Sequence, residues 1–181
     1  MSKQAFKLPR RRFLKNVFSA AGAAVMAPTI IPSSALGLDG AVPPSERVVV
    51  GGIAGGIVVF LLMGAANHLF LGQYWKNWMA AMGPMLHFAG PRRSLALWLG
   101  QSLVTGLGGT AVYAGIRPRY GAGSMTALWA GFLVWFVADL GQMLNALAIG
   151  DLPRHIIAGE CLAGFVATLA GTWVGAAIYK E

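Results

Sequence analysis

Three ionisable side chains lie inside long apolar segments of this chain, where they could take part in chemistry. Asp139 is near the middle of one segment, Glu160 lies about one helical turn into the next, and His68 lies near the end of the first. Because an ionisable group is costly inside a bilayer, such residues often mark a proton, cation or substrate site. We therefore predict an intramembrane polar site. It also includes four amide side chains, which are Asn67, Gln101, Gln142 and Asn145.

A structural role is the favoured interpretation for three of these amides. Hydrogen bonds between side chains of membrane helices contribute about 0.6 kcal/mol on average, and Gln101, Gln142 and Asn145 are suited to them. For Asp139 the structural and functional interpretations have equal weight, since a carboxylate near the middle of the membrane is a functional candidate by default.

Two expectations concern the partners of these groups. Asp139 is expected to face the interior of the bundle and to share a hydrogen-bonded network with Glu160 or His68. Alternatively, His68 and His155 with Glu160 supply the imidazole and carboxylate ligands that a metal ion or a haem iron uses. The ligand spacing that a metal site requires is not readable from the sequence. The G-x-S-x-G motif of a serine hydrolase does not occur in it. No catalytic residue and no cofactor is therefore predicted.

Four long apolar segments must position these side chains. Each lacks lysine and arginine and exceeds the roughly 20 residues that cross a bilayer core of about 30 Å. Because backbone polar groups have no water partners in lipid, each span must be a helix. Of all residues, 56% are hydrophobic and 11% are charged, whereas soluble domains have about 25% charged residues. The sequence predicts an all-α transmembrane bundle within residues 48–181, with spans at 48–72, 94–116, 124–149 and 156–179.

The topology of four spans places the polar groups on one side. The loop 73–93 after the first span and the loop after the third span share a membrane face, so the polar groups occupy the same half of the bilayer. Within the first of these loops, aromatic and methionine residues follow the i, i+3, i+4, i+7 spacing of one helical face. This pattern predicts an interfacial helix at the headgroup level. Its residues are Trp75, Trp78, Met79 and Met82.

The net charge of +8 is concentrated at the N-terminus. Six of the fourteen basic residues lie within the first fifteen positions, with no acidic residue among them. The rest of the chain offers no basic groove for a phosphate backbone, so no nucleic-acid partner is predicted. The single cysteine, Cys161, excludes an intrachain disulfide, and its apolar surroundings are typical of a cysteine that serves as a small hydrophobic residue.

The basic N-terminus begins a segment with the features of an export signal. A mildly apolar stretch follows it, and then come small residues suited to cleavage near Ala35 or Gly37. The motif resembles the twin-arginine export motif and consists of Arg10, Arg11, Phe13, Leu14 and Lys15. We therefore expect a leader at 1–37 and a polar linker at 38–47. Since no sizeable soluble domain follows, the leader is expected to be poorly cleaved, retained as a fifth span, or vestigial.

Two further resemblances extend beyond the export motif. IIPSSALG at 30–37, followed by PSERVVVGGIAGG at 44–56, resembles the start of exported oxidoreductases of the glucose-fructose oxidoreductase type. Those proteins continue into a Rossmann domain that this chain lacks, so no oxidoreductase residue is carried over. YAGIRPRYGAGSMTALWAG at 113–131 and ATLAGTWVGAAIYKE at 167–181 resemble small, uncharacterised bacterial four-helix membrane proteins. This second resemblance implies the architecture and no activity.

Glycines at four-residue spacing predict close contact between helices. The GxxxG pairs are Gly51 with Gly55, Gly52 with Gly56, and Gly171 with Gly175. Because such pairs let helix backbones approach closely, we expect these faces to bind a second copy or a membrane partner protein.

The function predicted from these observations is that of a multi-pass protein of the bacterial inner membrane without enzymatic activity. It would act as a small carrier or as an accessory subunit, with Asp139, Glu160 and His68 as proton or cation ligands. The alternative is a membrane redox protein that binds haem or metal through His68 and His155. The sequence indicates contact with the lipid bilayer, but it identifies neither a substrate nor a partner protein.

Overall fold

The computed structural model describes residues 43–82, 90–150 and 152–179, which are almost entirely helical. Their four continuous helices are long and apolar enough to cross a membrane, and no strand occurs among the described residues. The helices are α1, Pro44–Met82; α2, Pro91–Tyr120; α3, Ser124–Ile149; and α4, Arg154–Ile178. This architecture confirms the predicted all-α class with four candidate membrane spans.

The predicted leader at 1–37, with its twin-arginine-like residues, lies outside the described residues. So does the first part of the predicted linker at 38–47. The last four residues of that linker belong to α1, which begins at Pro44. A proline is well tolerated in the first helical turn, because its missing N–H would have no partner there. The linker therefore ends earlier than predicted.

Helix α1 is longer than its predicted span at 48–72. An α-helical part, Pro44–Ala66, continues through a π-helical turn, Asn67–Leu71, into a second α-helical part, Gly72–Met82. At 1.5 Å per residue, its 39 residues extend over about 58 Å, which is about twice the thickness of a bilayer core. The segment predicted to be an interfacial helix therefore continues the first span, and its depth in the membrane stays a prediction.

Helix α2 continues past residue 116, where its predicted span ends. It includes Pro118 and reaches Tyr120. Pro118 has no N–H, so it removes the backbone hydrogen bond to the residue four positions earlier, and the helix ends shortly afterwards. Gly121 then adopts a φ of 83°, which glycine tolerates, and its N–H donates to the Arg117 carbonyl at 2.8 Å.

A short connection joins α3 to α4. Gly150 ends α3 in the left-handed conformation with a φ of 76°, and its N–H donates to the Ala146 carbonyl at 3.0 Å. Pro153 then precedes the first residue of α4. The two helices are antiparallel neighbours that pack on each other, and the bounds of α3 match the prediction.

Glycines bring α1 into backbone contact with α4. A Cβ atom on Gly51 would lie 2.6 Å from the Gly175 carbonyl oxygen, and one on Gly55 would lie 2.5 Å from the Gly171 carbonyl oxygen. Since a Cβ atom does not approach a backbone oxygen so closely, these contacts require glycine.

Helix α2 approaches α1 equally closely at Gly106. A Cβ atom on Gly106 would overlap backbone atoms of Gly52 and Gly56. The glycine faces of α1 are therefore covered by α4 and α2 of the same chain. The binding of a second copy or of a membrane partner protein stays a prediction.

The interior of the bundle is rich in small and hydroxyl-bearing side chains, while many large apolar side chains lie outside. Val137, Phe70 and Val104 on the outer surface are 75%, 74% and 70% exposed. This distribution suits a lipid environment, in which helices associate through small residues rather than through a hydrophobic core. The largest fully buried side chains are Ile156, Thr110, Thr168 and Thr172.

Candidate functional site

Asp139 contacts α4 from the end of a π-helical turn. This turn, Trp135–Asp139, interrupts α3, and π-helical turns are frequent at functional sites. The Thr168 hydroxyl donates a hydrogen bond to Asp139 Oδ2 at 3.2 Å. A Cβ atom on Gly164 would lie 3.7 Å from the Asp139 carboxyl carbon, so the carboxyl group lies against the α4 backbone. Asp139 is partly buried and faces α4, as expected of an inward carboxyl group.

Trp135 fixes the other end of the same π-helical turn. Its indole N–H donates to the Cys161 carbonyl of α4 at 3.2 Å, and its ring lies 5.0 Å from the Phe165 ring. The turn is therefore attached to α4 at both ends, and this attachment sets the direction in which Asp139 points.

Glu160 joins α4 to the far part of α1. The indole N–H of Trp75 donates to Glu160 Oε1 at 3.0 Å, and the Trp75 ring packs edge-on against Trp78 with centroids 5.6 Å apart. Helical side chains point towards the N-terminus of their helix, so the Trp75 indole reaches back towards Leu71, which packs against Gly159 next to Glu160.

The direct network predicted between Asp139 and Glu160 or His68 does not form. Each carboxyl group has a separate partner on another helix, Thr168 for Asp139 and Trp75 for Glu160. His68 is exposed in the first π-helical turn of α1. Both carboxyl groups nevertheless lie near the same stretch of α4, because Gly164, which contacts Asp139, is one helical turn from Glu160.

The four predicted amides lie away from this pair of carboxyl groups. Asn67 is partly buried and donates to the Met63 carbonyl of its own helix at 3.2 Å. In the part of the chain that the structure describes, the other three make no side-chain hydrogen bond to another helix, and all three are exposed. These three amides are Gln101, Gln142 and Asn145. Gln142 and Asn145 follow Asp139 at three-residue steps. Because each such step falls about 60° short of a full turn of the helix, the two amides are turned progressively away from Asp139.

The structure does not assemble the predicted metal ligands. Among residues 43–82, 90–150 and 152–179, no group of three or more His, Cys, Asp or Glu side chains could hold a metal ion. The His155 ring packs against Tyr74, with ring centroids 4.8 Å apart.

Two functional candidates were missed at the sequence level, Thr168 and Thr172. They are 2% and 1% exposed. Their signal is periodic: from Glu160, four-residue steps reach Gly164, Thr168 and Thr172, and such residues form one ridge on a helix. A single threonine in an apolar segment is unremarkable, but this ridge aligns two of them with a carboxyl group.

We expect the Trp75–Glu160 hydrogen bond to make a measurable but modest contribution to stability. In a double-mutant cycle with Trp75→Phe and Glu160→Met, each of which removes one partner of the hydrogen bond, the coupling energy should be about 0.6–1.7 kcal/mol, the range for polar contacts between membrane helices. Reversible unfolding in mixed micelles with increasing dodecyl sulfate provides the free energies. Trp98→Phe, at a position 62% exposed on α2, is the control and should combine additively with Glu160→Met. Additivity in the Trp75 cycle would contradict the contact.

Comparison of the chain with protein-family models, curated proteins and solved structures finds no match. Because a four-helix architecture is compatible with many unrelated activities, only the site indicates the function.

Proposed function

We propose that the chain is a small membrane carrier, in which Asp139 and Glu160 take up and release a proton or a cation. The observation that carries this proposal is that both carboxyl groups have only neutral hydrogen-bond donors, Thr168 and Trp75. Neither carboxyl group forms an ion pair with a described Lys, Arg or His side chain.

The absence of a cationic partner among the described side chains limits the states that these carboxyl groups can adopt. A charged carboxylate without a counter-charge in an apolar environment is strongly unfavourable. We therefore propose that each group binds a proton or attracts a cation. A group that alternates between these states is what a proton- or cation-dependent carrier needs.

We also propose where the site lies in the bundle and towards which face it opens. Trp75 and Glu160 lie near the C-terminal end of α1 and the N-terminal end of α4, which supports a site that opens towards one face of the membrane. We further propose that the segment Gly72–Met82 reaches the headgroup level. The leader-like N-terminus supports placement in a bacterial inner membrane. An accessory subunit would use the same pair of carboxyl groups in a larger assembly.

The test is an infrared titration of the purified protein in lipid nanodiscs. We expect a protonated-carboxyl band that changes with pH and that Asp139→Asn removes, because an amide keeps the hydrogen bond with Thr168 but cannot exchange a proton. Glu160 is the other carboxyl group of the site and lies one helical turn from Gly164 on α4, so Glu160→Gln assigns the remaining band. Glu46→Gln, exposed near the start of α1, is the control.

The titration is repeated with Na⁺ and with K⁺ added. A band that shifts with pH alone identifies a proton site, whereas a band that also shifts with a cation identifies a cation site. If no band assigned to Asp139 or Glu160 responds to pH or to either cation, the proposed function is wrong.

A further inference from the structure

Polar groups continue along α4 beyond the pair of carboxyl groups. The ridge that begins at Glu160 passes Gly164, against which the Asp139 carboxyl group lies, and then presents Thr168 and Thr172. Both threonines are almost completely buried. We call this set, with Asp139, the polar ridge.

Thr172 has an unusual environment within the polar ridge. Its Oγ1 is the only buried side-chain nitrogen or oxygen without a hydrogen-bond partner among the described residues. A helical threonine commonly donates to the carbonyl four residues earlier, as Thr110 does to Gly106 at 3.0 Å. Thr172 directs its hydroxyl towards Gly109 of α2 instead, and a side chain on Gly109 would overlap it. An unpaired buried hydroxyl costs about 1–3 kcal/mol, so this arrangement points to a ligand for that hydroxyl.

Further polar side chains lie between Thr172 and the opposite end of the bundle. Thr110 follows Gly109 in α2 and is fully buried. Tyr113 lies about one turn further along α2, and its ring packs edge-on against Tyr179 with centroids 6.0 Å apart. The Arg117 guanidinium lies 5.7 Å from the centroid of the Tyr179 ring. Polar side chains therefore extend from the pair of carboxyl groups to the end of α2 and α4.

We propose that the polar ridge passes protons between Asp139 and the opposite end of the bundle, with Thr172 as the central relay. This inference rests on the proposed function, because Asp139 is the group at which protons enter. A hydroxyl both accepts and donates hydrogen bonds, so its oxygen takes one proton from one neighbour and releases its own proton to the next. The net result is the movement of one positive charge. Each hydroxyl regains its starting orientation when it rotates, and no other bond changes.

The spacing of the hydroxyls determines how each step occurs. Side chains four residues apart on a helix are about 5–6 Å apart, which is too far for a direct hydrogen bond. One water molecule bound between Thr168 and Thr172 completes the step, and the unpaired Thr172 hydroxyl supplies a donor and an acceptor for it. The driving force is a membrane potential or a pH gradient.

The packing of the bundle favours a proton over a metal cation. Backbones touch at Gly51 and Gly175 and again at Gly106, so the helices are closely packed in this part of the bundle. Calcium requires about six to eight oxygen ligands and magnesium requires octahedral coordination. Asp139 and Thr168 offer one carboxyl group and one hydroxyl, and the described residues contain no larger group of acidic or imidazole ligands.

The experiment measures proton influx into liposomes that contain the purified full chain. The liposomes consist of phosphatidylcholine, valinomycin with a potassium gradient makes the interior negative, and a trapped dye reports the internal pH. We expect influx above the rate of protein-free liposomes. Thr172→Val keeps the branched shape but removes the hydroxyl, so influx should fall to the protein-free rate. Thr168→Val should have the same effect, whereas Thr172→Ser should retain influx.

The matched control is Thr105→Val, which makes the same chemical change on α2. Thr105 donates to the Gln101 carbonyl of its own helix at 3.1 Å and does not belong to the polar ridge. Its influx should equal that of the unmodified chain, and circular dichroism should show that all variants remain helical. Influx that is absent in the unmodified chain, or unchanged in Thr172→Val, overturns the relay. The infrared titration separates this failure from failure of the proposed function, because Asp139 still exchanges a proton if only the relay is wrong.

Discussion

Replacing Gly106 with alanine is expected to disrupt the bundle, whereas the same change at Gly108 is expected to leave it intact. An alanine Cβ at position 106 would overlap backbone atoms of Gly52 and Gly56 in α1, and no rotation of a flexible side chain can relieve such an overlap. Overpacking usually costs about 1–3 kcal/mol, and we expect a loss of about 3 kcal/mol or more here because all three nearest atoms belong to the backbone.

Gly108 is a closely matched control for Gly106. It lies on the same helix, yet a Cβ atom there meets no atom within 4 Å. Alanine should be neutral or stabilising by up to about 1 kcal/mol, because it has a higher helix propensity than glycine. Unfolding in mixed micelles, followed by circular dichroism, measures both changes. Equal stabilities for the two variants would show that α1 and α2 do not pack through Gly106.

Replacing Ile156 with alanine is expected to be the second most damaging change. Ile156 lies in the first turn of α4 and is 0% exposed. Truncating a fully buried isoleucine to alanine costs about 2–5 kcal/mol, because neighbouring atoms lose contacts and a cavity remains. In a membrane protein this contact term matters most, since lipid is as apolar as the side chain itself.

The control for Ile156 is Leu162→Ala, further along the same helix. Leu162 is 65% exposed, so lipid chains replace the atoms that the truncation removes, and the loss should stay below about 1 kcal/mol. The same unfolding measurement compares the two variants. If Leu162→Ala destabilises the protein as much as Ile156→Ala does, the assignment of inner and outer faces of α4 is wrong.

The four helices were predictable from the sequence, but the ends of α1 and α2 were not. Hydropathy marks where a helix leaves apolar surroundings, whereas the helix itself ends where its backbone hydrogen bonds stop. After residue 72, polar and aromatic residues lower the hydropathy, yet no proline or positive-φ glycine interrupts α1 before Met82. Helix α2 includes Pro118 and ends only before Gly121, four residues beyond its predicted span. The bounds of α3 were predicted correctly because a glycine stops that helix where its apolar segment ends.

The polar residues of the candidate site were visible in the sequence, but their partners were not. The partner of Asp139 depends on the rotation of α3, and the π-helical turn Trp135–Asp139 changes that rotation. No residue pattern predicted this turn. Glu160 bonds to Trp75 because the helix of α1 continues beyond its apolar part. Thr168 became visible as a partner only once α3 and α4 were placed side by side.

The unequal lengths of α1 and α4 have a consequence for the choice of membrane. Their 39 and 25 residues correspond to about 58 Å and about 38 Å of helix, so a bilayer that matches α4 leaves about 20 Å of α1 beyond its hydrocarbon. Hydrophobic mismatch is relieved by tilting, thinning or protrusion, each at a modest cost. Because α1 contacts α4 at both Gly51 and Trp75, it cannot tilt alone. Acyl-chain length therefore acts on the end of the bundle that holds Glu160. Lipid composition then changes the surroundings of this carboxyl group.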